Sequence, residues 1–297
     1  TLFVAIRGNN HDGHTFIRSL YAGGVRAFLT DTDIDTAAYP EAGFVRCPDS
    51  VAALQRLATY HRHRFRGTVV AITGSNGKTT TTTLAYEMLR QADLSVGLAG
   101  NIGQSFALEV ATEYFDWYVI ELSSFQLDGM YDFRADVGVL MNITPDHLDR
   151  YDHCFQNYAD SKMRIVQNMT SRDWFVYSGD DEVIWNEIPK YDLRMRQLPF
   201  AAKNAVASGA GDAFLCDGKF TATAGKASVE IDTAKLQIKG LHNAYNAMAA
   251  ALATLAAGVA PAKIRKSLYA FAPVEHRLEP VAEKDGVLWI HLSLIHI

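Results

Sequence analysis

The string Ile72-Thr73-Gly74-Ser75-Asn76-Gly77-Lys78-Thr79-Thr80 constrains this chain more than any other stretch, because two glycines pin a loop that ends in a lysine and a hydroxyl. Val69, Val70, Ala71 and Ile72 suit a buried parallel strand, and Thr79 to Gln91 carries enough helix formers to follow as a helix. The loop then falls at a helix N-terminus, where unpaired backbone N–H groups and the positive end of the helix dipole favour an anion. Gly74 and Gly77 let the backbone approach phosphates, Lys78 reaches the β and γ phosphates, and Thr79 offers a hydroxyl to magnesium. ATP is the expected ligand. The strict phosphate-loop pattern has a glycine where this chain has Ile72, so the match is to the shorter Gly-x-x-Gly-Lys-Thr form, with an ordinary strand-to-helix turn as the alternative.

The chain around the loop alternates strands and helices. Leu2 to Ile6 and Arg26 to Thr30 read as strands, with helices at Phe16 to Ala22 and Ser50 to Tyr60, making a small α/β unit. From Thr68 the alternation continues through strand-like Val96 to Ala99, Trp117 to Leu122 and Val137 to Ile143. The predicted class is α/β: a small N-terminal α/β domain, then a mostly parallel, doubly wound sheet of the phosphate-loop ATPase type with an antiparallel edge. Residues 195–240 form that edge, with Asp217-Gly218 as a hairpin corner. A helix from Asn243 to Ala257 stops at Gly258 and restarts after Pro261. Val281 to Glu283, Asp285-Gly286 and Val287 to Ile290 read as a hairpin. The expected domains are 1–66, 67–275 and the start of a third at 276–291.

Composition bounds the function. A length of 297 residues, 48% hydrophobic and 21% charged, fits a globular protein of two domains. A formal charge of −5 and a pI near 6.0 argue against nucleic acid, and the basic run His61 to Arg66 reads as a helix end or connector. Cys47, Cys154 and Cys216 share no metal-ligand spacing, which fits a reducing, cytoplasmic setting. No apolar stretch reaches the ~20 residues that span a bilayer, so membrane insertion is not expected.

Further polar residues follow the predicted strands. Glu121 ends one, at the sheet edge where ligands bind in open parallel sheets, and could hold magnesium or cap the next segment. His147, in Asn142-Ile143-Thr144-Pro145-Asp146-His147-Leu148-Asp149-Arg150-Tyr151, follows another and points to a metal or phosphate role. By spacing alone Lys162 is a solvated helix lysine, Asn101 a turn residue and Asn243 a helix cap.

Taken together these strings resemble the ATP-dependent muramyl peptide ligases of peptidoglycan synthesis, and within that family the D-glutamate-adding branch. The resemblance runs from about Val69 to Ile290, on Gly74 to Thr79, Gly100-Asn101-Ile102-Gly103, Glu121 to Leu127, Asn142 to Tyr151, His242-Asn243-Ala244-Tyr245-Asn246 and His276-Arg277. It implies that Gly74, Ser75, Asn76, Gly77, Lys78, Thr79, Thr80, Asn243, Asn246 and Arg277 hold ATP, and that Asn101 and Ser123 face the UDP-N-acetylmuramoyl substrate. It further implies two Mg2+ ions held by Thr79, Glu121, His147 and Lys162 as a carbamate, with Lys78, Glu121, His147 and Lys162 as the catalytic set. The implied reaction joins D-glutamate to UDP-N-acetylmuramoyl-L-alanine through an acyl phosphate, in a monomeric cytoplasmic enzyme. A sister ligase adding D-alanyl-D-alanine or a diamino acid, and a nucleotide-binding ATPase without a ligase step, are the alternatives.

Both ends depart from that branch. Leu2-Phe3-Val4-Ala5-Ile6-Arg7-Gly8 with Asp12-Gly13-His14 and Phe16-Ile17 resembles the UDP-binding domain of the sister ligases. Leu292 to Ile297 resembles a translated sequencing adapter and is set aside from fold reasoning. The family's third domain is expected after Ile290, and without it this chain is expected to bind ATP weakly and not to ligate. The two resemblances meet at the loop that all members share, which predicts a join of two ligase genes there. Long reads of the source locus should break between residues 60 and 85; one uninterrupted frame overturns the join.

Overall fold

The computed structural model describes residues 1–8, 11–202, 212–272, 277–284 and 287–292, with backbone alone at 61–64, 277–284 and 287–292. The chain divides into two compact units, Thr1–Arg66 and Gly67–Ile297. In the first, β1 (Leu2–Val4), α1 (Ile17–Ala22), β2 (Ala27–Thr30), β3 (Gly43–Arg46) and α2 (Ser50–Arg64) build a parallel sheet in the order β1-β2-β3. Phe28 is fully buried and stacks on Phe44. The Asp12-Gly13-His14 string has a local structural use. His14 Nδ1 lies 2.6 Å from Asp12 Oδ1 and Nε2 lies 3.2 Å from Asp31 Oδ1, tying the segment after β1 to the end of β2. A Cβ on Gly13 would come within 2.7 Å of Ile6 N, so only glycine fits between them.

The second unit begins with β4 (Thr68–Thr73), α3 (Lys78–Gln91), β5 (Val96–Gly100), α4 (Phe106–Thr112), β6 (Trp117–Glu121), α5 (Ser124–Asp128) and β7 (Val137–Leu140). It continues through α6 (Phe155–Met163), β8 (Trp174–Ser178), α7 (Glu182–Glu187), β9 (Arg196–Ala201), β10 (Ala213–Cys216), β11 (Lys219–Ala224) and β12 (Ala227–Asp232). Then come α8 (Leu241–Ala256), α9 (Pro261–Ala270), β13 (Arg277–Lys284) and β14 (Val287–Leu292). Nine strands form one sheet in the order β12-β11-β10-β9-β8-β7-β4-β6-β5.

The antiparallel edge is narrower than the sequence suggests. β9 pairs parallel with β8 and β10 parallel with β9, so among the described residues of the nine-stranded sheet the antiparallel pairings are β10–β11 and β11–β12. Asp217 and Gly218 both take positive φ, 49° and 76°, which is the two-residue hairpin geometry expected of that pair. The strand expected over Val137 to Ile143 stops at Leu140, because β4 turns away at Gly74 and residues 141–142 leave the ladder to follow it. β13 and β14 pair antiparallel around residues 285–286, which lie outside the described residues; β14 extends to Leu292, one residue into the segment set aside above. No helix among the described residues is long and apolar enough to cross a membrane.

Alanine dominates α8 for a packing reason. Every residue from Asn246 to Leu255 is buried, so this stretch of the helix has no solvent face, and α8 packs on β7 to β12 and against α3 and α9. Small side chains let it lie close to all of them at once. Ala250, with no exposure, has no room to grow. Ala250→Leu should destabilise the fold by about 1–3 kcal/mol through overpacking, read as a lowered urea midpoint at unchanged slope; an unchanged midpoint would mean the helix can move aside.

Candidate active site

β4 runs between β6 and β7, and their ends are locked side by side. Ile72 is in register with Glu121 and Thr73 with Leu140. Leu122 N donates to Ile72 O at 2.8 Å, Met141 N to Thr73 O at 2.9 Å, and Thr73 Oγ1 to Leu122 O at 2.7 Å. The chain leaves β4 through α3 for the β5 edge and later returns to β7 on the other side. This is a switch point, the position at which open parallel sheets hold ligands.

Gly74 to Gly77 turn across these ends. Gly74 has φ 149°, and a Cβ there would lie 2.7 Å from Met141 Cβ; Gly77 has φ 82°, and a Cβ would run into Asn246 Oδ1. Both the conformation and the space therefore demand glycine. Ser75 Oγ donates to Thr144 O at 2.9 Å, accepts from Thr144 N at 2.9 Å and meets Tyr158 OH at 2.8 Å. Burial pushes the Tyr158 hydroxyl up to about 12, so it stays protonated in this chain. Asn142 Oδ1 accepts from Ser75 N at 3.0 Å and from Asn76 N at 2.8 Å, and Asn142 Nδ2 donates to Asn76 O at 3.1 Å.

Two lysines meet the same loop. Lys78 Nζ donates to Ser75 O at 2.9 Å, and Lys162 Nζ donates to Gly74 O at 2.9 Å. Lys162 is only 2% exposed, which replaces the solvated helix lysine of the sequence reading: the face of α6 that carries it turns inward on the loop. Burial, and then the charge of Lys78, bring its ammonium down to about 7 against the opposite pull of Asp146 and Glu121.

Glu121 is 1% exposed. Its Oε1 accepts from Asn101 Nδ2 at 3.0 Å, while its Oε2 has no hydrogen-bond partner. Ser123 caps α5, accepting from Gln126 N at 3.3 Å while Ser123 N donates to Gln126 Oε1 at 2.9 Å. His147 stands at the exposed rim with φ 51°, its Nε2 3.6 Å from Asp146 Oδ2 and its ring against the edge of Phe125. Thr79 and Thr80 lie in the first turn of α3.

On the other side, a cleft of about 420 Å³ runs from the loop to α8, lined by Asn76, Gly77, Asn142, Asp181, Tyr245 and Asn246 among others. Asn246 Oδ1 accepts from Thr81 Oγ1 at 3.2 Å, Asn246 Nδ2 donates to Asn243 Oδ1 at 3.1 Å, and Asn243 Nδ2 donates to Lys239 O at 2.9 Å. The structure thus places this pair as a buried bridge from α8 to α3 beside Gly77. The backbone of Arg277 lies in β13 and its side chain lies outside the described residues. The sequence reading set Asp146 beside His147 at the strand's end but singled out neither Asn142 nor Tyr158 as a member of the site. Asn142 carried a signal, since it is the first polar residue after a buried strand.

The residues fit the groups that the sequence points to. A loop with no space for a Cβ at either glycine fits close backbone approach by a phosphate, and the buried, partnerless Oε2 of Glu121 fits a cation. Among the described residues no three His, Cys, Asp or Glu side chains gather as a metal site. A cation here would draw on the Thr79 hydroxyl, Glu121 and the phosphates, as magnesium commonly does.

A family model described as the Mur ligase middle domain matches residues 72–254. A UDP-N-acetylmuramoylalanine--D-glutamate ligase of Bacteroides thetaiotaomicron is 51% identical over 225 residues, covering 76% of this chain and 50% of that protein. One of Porphyromonas gingivalis is 46% identical over 226 residues, with the same shares of 76% and 50%. The chain spans about half the length of the curated relatives it matches. Among solved structures, MurF from Acinetobacter baumannii aligns at a TM-score of 0.75 and 22% identity, covering 98% of this chain and 64% of that one. MurF from Thermotoga maritima in complex with ADP gives 0.73 at 24% identity, covering 98% and 67%. These two show a shared fold. With more than half of its length matched by the family model, the chain belongs to the Mur ligase family.

Proposed function

We propose that this chain supplies the ATP-binding core of an amide ligase that adds D-glutamate to UDP-N-acetylmuramoyl-L-alanine. The observation that carries the reading is the convergence of Lys78, Lys162 and Glu121 on one glycine-pinned loop, and the choice of D-glutamate follows the names of the relatives. The γ-phosphorus of ATP bonds to a carboxylate oxygen of the muramoyl substrate as its bond to ADP breaks. The amine of D-glutamate then attacks the acyl carbon, phosphate leaves, and the amine gives up a proton. Lys78 holds the transferred phosphoryl group by charge, and the loop amides orient it. Magnesium, held by Thr79 and Glu121 with His147 and Lys162 toward a second ion, would supply further charge neutralisation. Asn101 and Ser123 face the muramoyl substrate in this reading, Asn243 and Asn246 stand on the nucleotide side, and Arg277 reaches the nucleotide. The proposed enzyme works as a monomer in the cytoplasm.

Lys162 belongs to this scheme as a carbamate. An ammonium cannot ligate a cation; a neutral amine can add carbon dioxide, lose a proton and become an anion. A lysine held near 7 is neutral far more often than one at its ordinary 10.5. A second reading, a sister ligase adding D-alanyl-D-alanine or a diamino acid, is favoured by the N-terminal unit, since the alignment with the Acinetobacter MurF covers 98% of this chain.

Two outcomes follow. In a ligase of full family length, phosphate release should require both the UDP-muramoyl substrate and D-glutamate, and Lys78→Ala should cut turnover by about 10²–10³-fold or more. Release with ATP alone would favour a simple ATPase, a requirement for another amino acid would favour a sister ligase, and near-normal turnover in the variant would remove Lys78 from the chemistry. The second concerns stability in bicarbonate-free buffer. Between pH about 7 and 10.5 the unfolded chain holds a proton on Lys162 that the folded chain has lost. Stability contributed by this group therefore rises with pH across that window, by up to about 1.4 kcal/mol per unit. Lys162→Met should abolish that slope in urea titrations; an unchanged slope would place the lysine's pKa near its usual value.

A further inference from the structure

Asn142 has an unusual share of the loop's hydrogen bonds. Its single side-chain oxygen takes the amides of both Ser75 and Asn76, at 3.0 and 2.8 Å, and its Nδ2 donates to Asn76 O at 3.1 Å. Its own carbonyl also accepts from Ser75 N, at 3.0 Å. The contact is forced by the fold: an ideal Cβ on Gly74 would lie 3.2 Å from Asn142 N, so the rising limb of the loop lies flat against residues 141–142.

A primary amide accepts from two N–H groups through its oxygen and donates to a carbonyl through a separate nitrogen, so it spans three loop groups that the single oxygen of Ser or Thr would have to serve from one point. Ala offers neither function. Asp keeps the acceptor, loses the donor, and adds a negative charge beside the place where phosphate would sit. The falling limb is different in kind. It runs into the first turn of α3, where the positive end of the helix dipole favours an anion. The loop is therefore divided: its rising limb is saturated by Asn142, and its helical limb faces the cleft that Asn142, Asn76 and Gly77 line.

We propose that Asn142 is a positioning residue for nucleotide binding, a strut that fixes the rising limb of the phosphate loop so that the helical limb's amides are held ready for the polyphosphate. The inference rests on the nucleotide reading of the site given above. It assigns Asn142 no contact with the reacting atoms.

The test uses the whole 297-residue chain with Mg-ADP as the probe. Amide hydrogen exchange is followed at Asn76, bonded to the Asn142 side chain, and at Ser75, which keeps a backbone partner and so serves as the internal control. In Asn142→Ala, exchange at Asn76 should quicken by about 10-fold or more while Ser75 changes less, and Mg-ADP should bind about 10- to 100-fold more weakly at a near-unchanged melting temperature. Asn142→Asp should keep Asn76 slow and still weaken Mg-ADP through its charge, and this pairing decides the matter if the alanine variant does not fold. Wild-type affinity in the alanine variant would overturn the strut. Tighter binding would overturn it too, by showing that the side chain competes with phosphate for the amides, as would fast exchange at Asn76 in the aspartate variant. If the unsubstituted chain fails to bind Mg-ADP, the nucleotide reading falls and with it the assignment of Asn142 to nucleotide binding.

Discussion

The lack of room for a Cβ at Gly74 and Gly77 is the constraint on which the rest of the site depends. One glycine is pressed by the segment that continues β7 and the other by the amide of Asn246 on α8, so the loop is gripped from two sides. That grip relates three distant pieces of chain. The β7 extension must leave its ladder to follow the turn, which exposes the backbone and side chain of Asn142 to the loop. α8 must bring its first turns against α3, where Thr81 satisfies Asn246. Neither requirement is local, and both follow from a backbone that is closer to its neighbours than any side chain would allow.

Much of this was legible in the chain. The strand before the loop, the helix after it and the ends of β6 and β7 carry strong signals, since a buried apolar run that stops at a polar residue is the pattern of a parallel strand reaching its functional edge. The hairpin at Asp217-Gly218 was legible because a two-residue turn of positive φ has few alternatives. The direction of β9 and β10 was not, because short alternating strands look alike whether their neighbour is parallel or antiparallel, and the neighbour is chosen by tertiary packing. The burial of Lys162 was hidden for a similar reason. Gly74, Lys78, Glu121 and Asp146 around it come from distant segments, and the Tyr158 ring one helical turn away, 4.9 Å from its Nζ, does not by itself announce burial.

The ionisable groups at the site gather around one backbone turn. Lys78 and Lys162 donate to successive loop carbonyls, so two cations stand close together at the turn. Burial and mutual repulsion outweigh the attraction of Asp146 and Glu121, as the depressed Lys162 shows. Glu121 meanwhile has one oxygen on Asn101 and the other on nothing. An arrangement selected for stability alone would pair the buried Glu121 Oε2 or replace the carboxylate with an apolar group, because a buried unsatisfied carboxylate oxygen is costly. A buried lysine brought down by its surroundings and a partnerless buried carboxylate oxygen, together beside a switch point, suit a place where a ligand supplies compensation. In the proposed reading a polyphosphate would answer the lysines and a divalent cation the carboxylate, and each ligand would lower the cost of the other's site.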